Sequence, residues 1–279
     1  MKKFQWGIRI AVLLLLLWSL WANQAVKITE TELSFRELPN GFDGFRIAHV
    51  SDLHNAQFGE NNETLLKLLR QTDPDIIAVT GDIVDSRRTD TAVALAFLEE
   101  AVKIAPCFYV NGNHEARISG YREFEKSMEA LGVTVLDNRK AAISRAGQTL
   151  TVMGIDDPNF ADDGLYGTKE AVTAARIANL YREEDGFAVL LSHRPDLFDT
   201  YVDSGVNLVL SGHAHGGQFR LPFVGGLYAP GQGFFPEYDA GVFRDGETAM
   251  VVSRGLGNSA FPLRFNNRPE IILLVLSEA

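Results

Sequence analysis

Apolar and polar positions change rhythm along this chain, and each change marks an element. Residues 10–22 form an apolar run behind Lys2, Lys3 and Arg9. From Val26 the pattern becomes that of strands and amphipathic helices. "VKITETELSF" alternates with the two-residue period of a strand, and "FRIAHVS" is a short apolar strand. "NNETLLKLLRQT" carries leucines at helical spacing, with Asn61 or Asn62 as its N-cap. "DIIAVTGD" reads as strand then turn, "TDTAVALAFLEEAVKI" as helix, and "CFYVNGNHE" as a third strand then turn. There follow a helix ("YREFEKSMEALG"), a strand ("VTVLD"), a hairpin ("AAISRAGQTLTVMGID") and a helix over 169–182. After these come the strand "GFAVLLSH", a short helix after Pro195 and the strand "VNLVLSGH". The remainder is rich in strands and turns and closes with "EIILLVLSEA". Early strands alternate with helices and later segments pair as hairpins. This predicts a layered α/β fold whose sheets pack face to face with helices outside.

The first residues stand apart. A run of this length falls short of the ~20 residues of a spanning helix. It reaches that length if Arg9 snorkels and Trp18 and Trp21 sit at the far interface. A cleaved signal peptide wants small residues at −1 and −3 of a cleavage point, but Ala25 is paired with Asn23 and Ala22 with Leu20. Residues 1–25 therefore read as an uncleaved anchor and 26–279 as one catalytic domain. The basic flank keeps the N-terminus cytoplasmic and places the rest outside, at the cell membrane.

Composition narrows the picture further. The chain has 279 residues, of which 46% are hydrophobic, enough for a large core and unlike a disordered protein. A formal charge of −10 argues against nucleic-acid binding, which needs a basic surface. The single cysteine, Cys107, lies in the apolar run "PCFYV" and reads as a buried, inert thiol.

The chemistry sits where strands end. Five apolar strands run into metal-ligand residue types: Asp52 and His54 in "HVSDLH", Asp82 in "IIAVTGD", Asn113 and His114 in "FYVNGNHE", His193 in "VLLSH", and His213 and His215 in "LVLSGHAH". Carboxyl ends of strands in α/β sheets line a common crevice, so five such ends converge. Gly81, Gly112 and Gly212 precede three of these residues and allow close backbone approach. Carboxylate, imidazole and amide donors without thiolate suit Mn²⁺, Fe²⁺ or Zn²⁺. His49, inside its strand, reads as structural.

The ordered series "SDLH", "GDIVD", "GNHE", "LLSH" and "SGHAHGGQ" resembles the calcineurin-like metallophosphoesterase superfamily. Leu38-Pro39, Phe42, Gly44, Arg46-Ile47 and Pro269-Glu270-Ile271 resemble its membrane-anchored bacterial phosphodiesterase branch. Ala214 stands where threonine is usual between the two histidines. The resemblance implies a four-layer α-β-β-α sandwich and two divalent metal ions. It places Asp52, His54 and His215 on the first, Asn113, His193 and His213 on the second, and Asp82 between them. It makes His114 a group beside the phosphoryl, acting as an imidazolium on the leaving oxygen and oriented by Asp85. Arg87 or Arg88, with Arg254, Arg264 and Arg268, are candidate phosphate contacts.

The implied reaction is hydrolysis of a phosphodiester by in-line attack of a metal-bridging hydroxide. The apolar stretch over 219–238 adds a substrate wall or a surface leaning on the bilayer, which suits a lipid-linked or cell-envelope substrate. The same motifs accommodate a UDP-2,3-diacylglucosamine diphosphatase, which needs a cytoplasm-facing site, a phosphoprotein phosphatase, or a non-catalytic scaffold.

Overall fold

The computed structural model describes residues 2–161, 167–258 and 261–279. In chain order its strands are β1 (Lys27–Phe35), β2 (Phe45–Val50), β3 (Ile76–Thr80), β4 (Cys107–Val110), β5 (Thr134–Val135), β6 (Arg139–Arg145), β7 (Gln148–Gly154), β8 (Ala188–Leu191) and β9 (Leu208–Ser211). Two short ribbons follow, β10 (Arg220–Leu221) with β11 (Gly225–Gly226) and β12 (Tyr228–Ala229) with β13 (Gly233–Phe234), and then β14 (Gly241–Asp245), β15 (Thr248–Val252) and β16 (Glu270–Glu278). The helices are α1 (Lys2–Gln24), α2 (Glu63–Gln71), α3 (Thr91–Ala101), α4 (Tyr121–Ala130), α5 (Lys169–Leu180) and α6 (Phe198–Asp203).

Two six-stranded sheets carry the fold, ordered β1-β16-β2-β3-β4-β5 and β14-β15-β9-β8-β7-β6. The strands that lead to the candidate donors lie side by side and parallel in the sheet centres, β2-β3-β4 in one and β8-β9 in the other. Strand pleating explains the layering, because alternate side chains face opposite ways. In β2, Phe45 and Ile47 enter the layer between the sheets, against Val189, Leu191, Leu208 and Leu210. Its alternate residues Ala48 and Val50 face outward to Leu65 and Leu69 of α2 and Phe97 of α3. A third apolar layer joins the second sheet to α5 and α6 through Ile177, Phe198 and Tyr201. Three apolar layers separate four structural ones, so the α-β-β-α arrangement follows from the side chains. Each fully buried Ile, Leu or Phe contributes about 1.5–3 kcal/mol.

Two local readings change. Asn62 precedes α2, but its side chain does not cap the helix. Its Oδ1 accepts the Phe58 N–H at 2.9 Å, closing the preceding loop. The N-terminal helix extends well beyond the apolar run, and its span Phe4–Gln24 is long and apolar enough to cross a membrane. Cys107 is buried, with its thiol pushed up to about 12 by burial, and His49 is buried on Thr80 at 2.8 Å.

Candidate metal centre

Every donor stands shortly past the last residue of its strand, in the turn that follows. Backbone bonds beyond the strands hold these turns together: Asp52 N–H donates to Gly81 O at 3.0 Å, and Gly212 N–H to His193 O at 3.2 Å. Other bonds join the two sheets. His213 N–H donates to both oxygens of the Asp52 carboxylate at 3.1 and 3.2 Å, and His193 Nδ1 lies 2.7 Å from Thr80 O. Two glycines noted in the sequence are demanded by this crowding. A side chain at Gly112 would overlap the Asp82 carboxylate, and one at Gly212 would strike Ser51 and Asp52.

Five donors sit in left-handed backbone, with φ of +53° at Asp52, +47° at His54, +51° at Asp82, +65° at His213 and +49° at His215. L-residues adopt this region uncommonly, and such strain costs of order 1–3 kcal/mol per residue where the surroundings impose it. Here the turns aim side chains of both sheets at one point.

The donor atoms form overlapping groups, each closed within 4.8 Å: Asp52, His54 and His215; Asp82, His193 and His213; and His54, Asp82 and His114. His54 Nε2 is 3.7 Å from both Asp52 and Asp82 and 3.2 Å from His215 Nε2. His193 Nε2 is 3.1 Å from Asp82 Oδ2 and 3.2 Å from His213 Nδ1. Asn113 shares the cavity with Asp82 and His213, and its buried Oδ1 has no protein partner.

These groups fit cations. Burial opposes ionisation of Asp52 and Asp82, yet the surrounding imidazoles outweigh it and hold both carboxyls below the usual range. Burial pushes His215 down to about 3 and His213 well below its ordinary value, leaving lone pairs available. At His193 burial works against charge, but the carboxylates of Asp82 and Asp52 raise it to about 10, so this position attracts positive charge. Ionised carboxylates, neutral imidazoles and an unpartnered amide oxygen are the states in which such groups bind divalent metal ions.

The other anticipated residues take varied places. His114 lies at the cluster's edge, its ring 4.5 Å from that of His54. Burial lowers it to about 4, so it is a neutral imidazole at pH 7, not the imidazolium anticipated. Its Nδ1 accepts the Ser86 N–H at 3.0 Å, with Asp85 Oδ1 farther at 3.4 Å. Arg87 and Arg88 line an adjoining groove. Arg254 instead leans on Glu270 at 3.7 Å, and Arg268 donates to Ala25 O. Arg264 is fully buried. Its guanidinium bonds Arg254 O at 2.6 Å, Asn258 Oδ1 at 3.0 Å and Gly257 O, and lies 3.4 Å from His215 Nδ1.

Two residues the sequence reading passed over complete the site. Buried Glu115, the last letter of "GNHE", accepts the N–H groups of Asp82, Val84 and Gly112 at 2.8, 3.1 and 2.8 Å, tying the turns after β3 and β4 together. Arg194 follows His193 directly and is buried. It forks onto Asp157 at 2.6 and 3.3 Å and reaches His213 Nε2 at 2.9 Å. Their adjacency to motif residues was the available signal.

Two depressions meet at Arg87. A cavity of about 310 Å³ is lined by Asp82, Asn113 and His114 together with Arg117, Lys169 and Arg194. A groove of about 730 Å³ runs from His54 and Asp85 to Asn258 and Pro262.

Comparison with known proteins agrees with this geometry. The calcineurin-like phosphoesterase family profile matches residues 45–217. The metallophosphoesterase YkuE of Bacillus subtilis (strain 168) is 33% identical over 258 residues, covering 90% of this chain and 85% of its own. The phosphodiesterase YaeI of Escherichia coli (strain K12) is 30% identical over 237 residues, covering 83% and 82%. Among solved structures, TT1561 of Thermus thermophilus superposes with a TM-score of 0.53 at 16% identity, over 76% of this chain and 90% of that one. The chain belongs to the calcineurin-like phosphoesterase family and is a metal-dependent phosphoric ester hydrolase.

Proposed function

We propose that this hydrolase is a dinuclear phosphodiesterase held at the membrane by residues 1–25, with 26–279 as its catalytic domain. The observation that carries the dinuclear reading is Asp82, whose carboxylate belongs to both the His54 and the His193–His213 donor groups. Asp52, His54 and His215 would hold one ion, Asn113, His193 and His213 the other, and Asp82 both. Divalent cations such as Mn²⁺, Zn²⁺ or Fe²⁺ would supply Lewis-acid polarisation of the phosphoryl group and acidify water at neutral pH.

The chain's own residues do the rest. His114 accepts Ser86 N–H at Nδ1, so its proton is on Nε2, and that N–H stabilises charge developing on the leaving oxygen. The turn from Asp85 to Ser86 holds the ring. Arg194, fixed by Asp157, and Arg87 line the cavity and present positive charge to phosphoryl oxygens. Arg264 acts by positioning His215.

Two features favour a diester. A phosphodiester carries two organic arms, and the cavity and groove offer two adjoining places for them. YaeI, a relative with similar coverage, is itself named a phosphodiesterase. The test is the full chain in detergent, loaded in turn with Mn²⁺, Zn²⁺ and Fe²⁺, on bis-p-nitrophenyl phosphate and p-nitrophenyl phosphate. Faster turnover of the diester supports the reading, and preference for the monoester overturns it.

A further inference from the structure

We infer that the exposed aromatic surface beside the metal centre is a second membrane contact, which seats the mouth of the site against the bilayer. This inference rests on the reading of α1 as a membrane anchor.

Strand register places the anchor at the catalytic end of the fold. β1 runs parallel to β16, and β16 antiparallel to β2, so β1 begins where β2 ends. Lys27 pairs with Glu270, and Ile272 with His49, so continuing the register sets Lys27 level with Ser51, the residue before Asp52. Two strand spacings, roughly 10 Å, separate them. α1 therefore enters the fold at the end where the ligand turns gather.

The helix end is also bonded to that region. Ser19 Oγ donates to Arg264 O at 2.9 Å, and Asn23 Oδ1 accepts from Arg264 N–H and Asn258 Nδ2, both at 3.0 Å. Trp18 packs edge-on against Phe265, centroids 5.7 Å apart. Phe265 stacks on Phe219, which meets Phe261 at 5.3 Å. An aromatic chain thus runs without a break from the anchor to the ribbons after His215.

Those ribbons present large apolar side chains outward. Phe223 is 109% exposed, Phe234 71%, Phe235 61% and Val224 59%. Phe223 and Phe235 also have positive φ, unusual for bulky residues. Pro230 and Gly231, between β12 and β13, meanwhile line the catalytic cavity. The same loop walls the site on one side and offers aromatics on the other. Exposed clusters of this kind mark interaction surfaces, and aromatic rings favour the membrane interface. Continuity with an apolar helix makes lipid the occupant. A phosphoester presented at the bilayer surface then enters along the groove that ends at Asn258 and Pro262.

The test uses the full chain in vesicles of phosphatidylcholine and phosphatidylglycerol. Phe223→Cys and Phe234→Cys are each labelled with the fluorophore NBD, with the wild-type chain, whose Cys107 is buried, as blank. Lys103→Cys, beyond the far end of α3, is the control. The expected result is blue-shifted emission, quenched by doxyl-labelled lipid, at 223 and 234 and not at 103. Water-like emission at 223 and 234 in chains that float with the vesicles overturns the inference and leaves the anchor reading intact. A blue shift insensitive to doxyl lipid assigns the patch to a second copy or another protein and also overturns it. Chains that do not float remove the anchor reading, and this inference with it.

Discussion

Nε2 of His193 stands 3.1 Å from Oδ2 of Asp82 while Nδ1 of the same ring is committed to Thr80 O at 2.7 Å. A carbonyl oxygen accepts only, so Nδ1 carries a proton. In the neutral ring Nε2 then turns a lone pair toward a carboxylate. Either a proton or a metal cation must lie between them. The same Asp82 oxygen also lies 3.7 Å from Nε2 of His54, a member of the Asp52, His54 and His215 group.

Asp82→Ala removes the carboxylate common to both donor groups. Metal measured by elemental analysis after dialysis should fall from the wild-type content to near zero. Full retention of metal would contradict the bridging role.

His114→Ala should separate catalysis from metal binding. The expected loss is about 10²–10⁴-fold in kcat, the usual scale for a group acting on a leaving oxygen, with metal content close to wild type. Parallel loss of metal would make His114 a ligand.

Arg194→Met leaves the Asp157 carboxylate buried without its guanidinium. Breaking a buried pair from one side costs about 3–5 kcal/mol, which should appear as a lower urea midpoint. Adding Asp157→Asn should recover part of that loss. A single variant as stable as wild type would show that the pair holds nothing in place.

Asp137 supplies a pH test away from the donor residues. Burial raises its carboxyl to about 7, aided by Asp156 and opposed by bonds from Tyr121 and from Asn111 N–H. A carboxyl whose folded pKa exceeds its unfolded value stabilises the fold in its protonated form. That contribution is complete below the ordinary value of 3.8 and is lost as pH rises through about 7. Asp137→Asn should therefore gain stability relative to wild type between pH 4 and 8, by roughly 1–3 kcal/mol given its partly exposed position. A Tm difference constant across that range would refute the shift.

Much of the fold was legible because its signals are local. The short apolar run of "FRIAHVS" and the leucine spacing of "ETLLKLLRQ" each depend on residues within one element, and both elements form as read. The candidate donors were legible because each follows closely on an apolar strand with a group that would be wasted in an ordinary turn. The roles of the arginines were less legible. Arg264 resembles a solvent-facing phosphate contact in its own segment, but it lies fully buried between Asn258, Gly257 and His215. Glu115 gave no separate signal, since the N–H groups it gathers belong to residues three and more than thirty positions away.

The amino-acid order by itself determined the family, the succession of strands and helices, and the residue types that gather at strand ends. Periodicity and motif spacing are properties of neighbouring residues, so they survive without a structure. Only the tertiary structure decided which strands share a sheet, the left-handed turns that aim Asp52 and His213 at one point, the burial of Arg264, and the meeting of α1 with the catalytic end. These depend on distant segments packed against one another, and the energy that fixes them comes from contacts that no local stretch of chain contains.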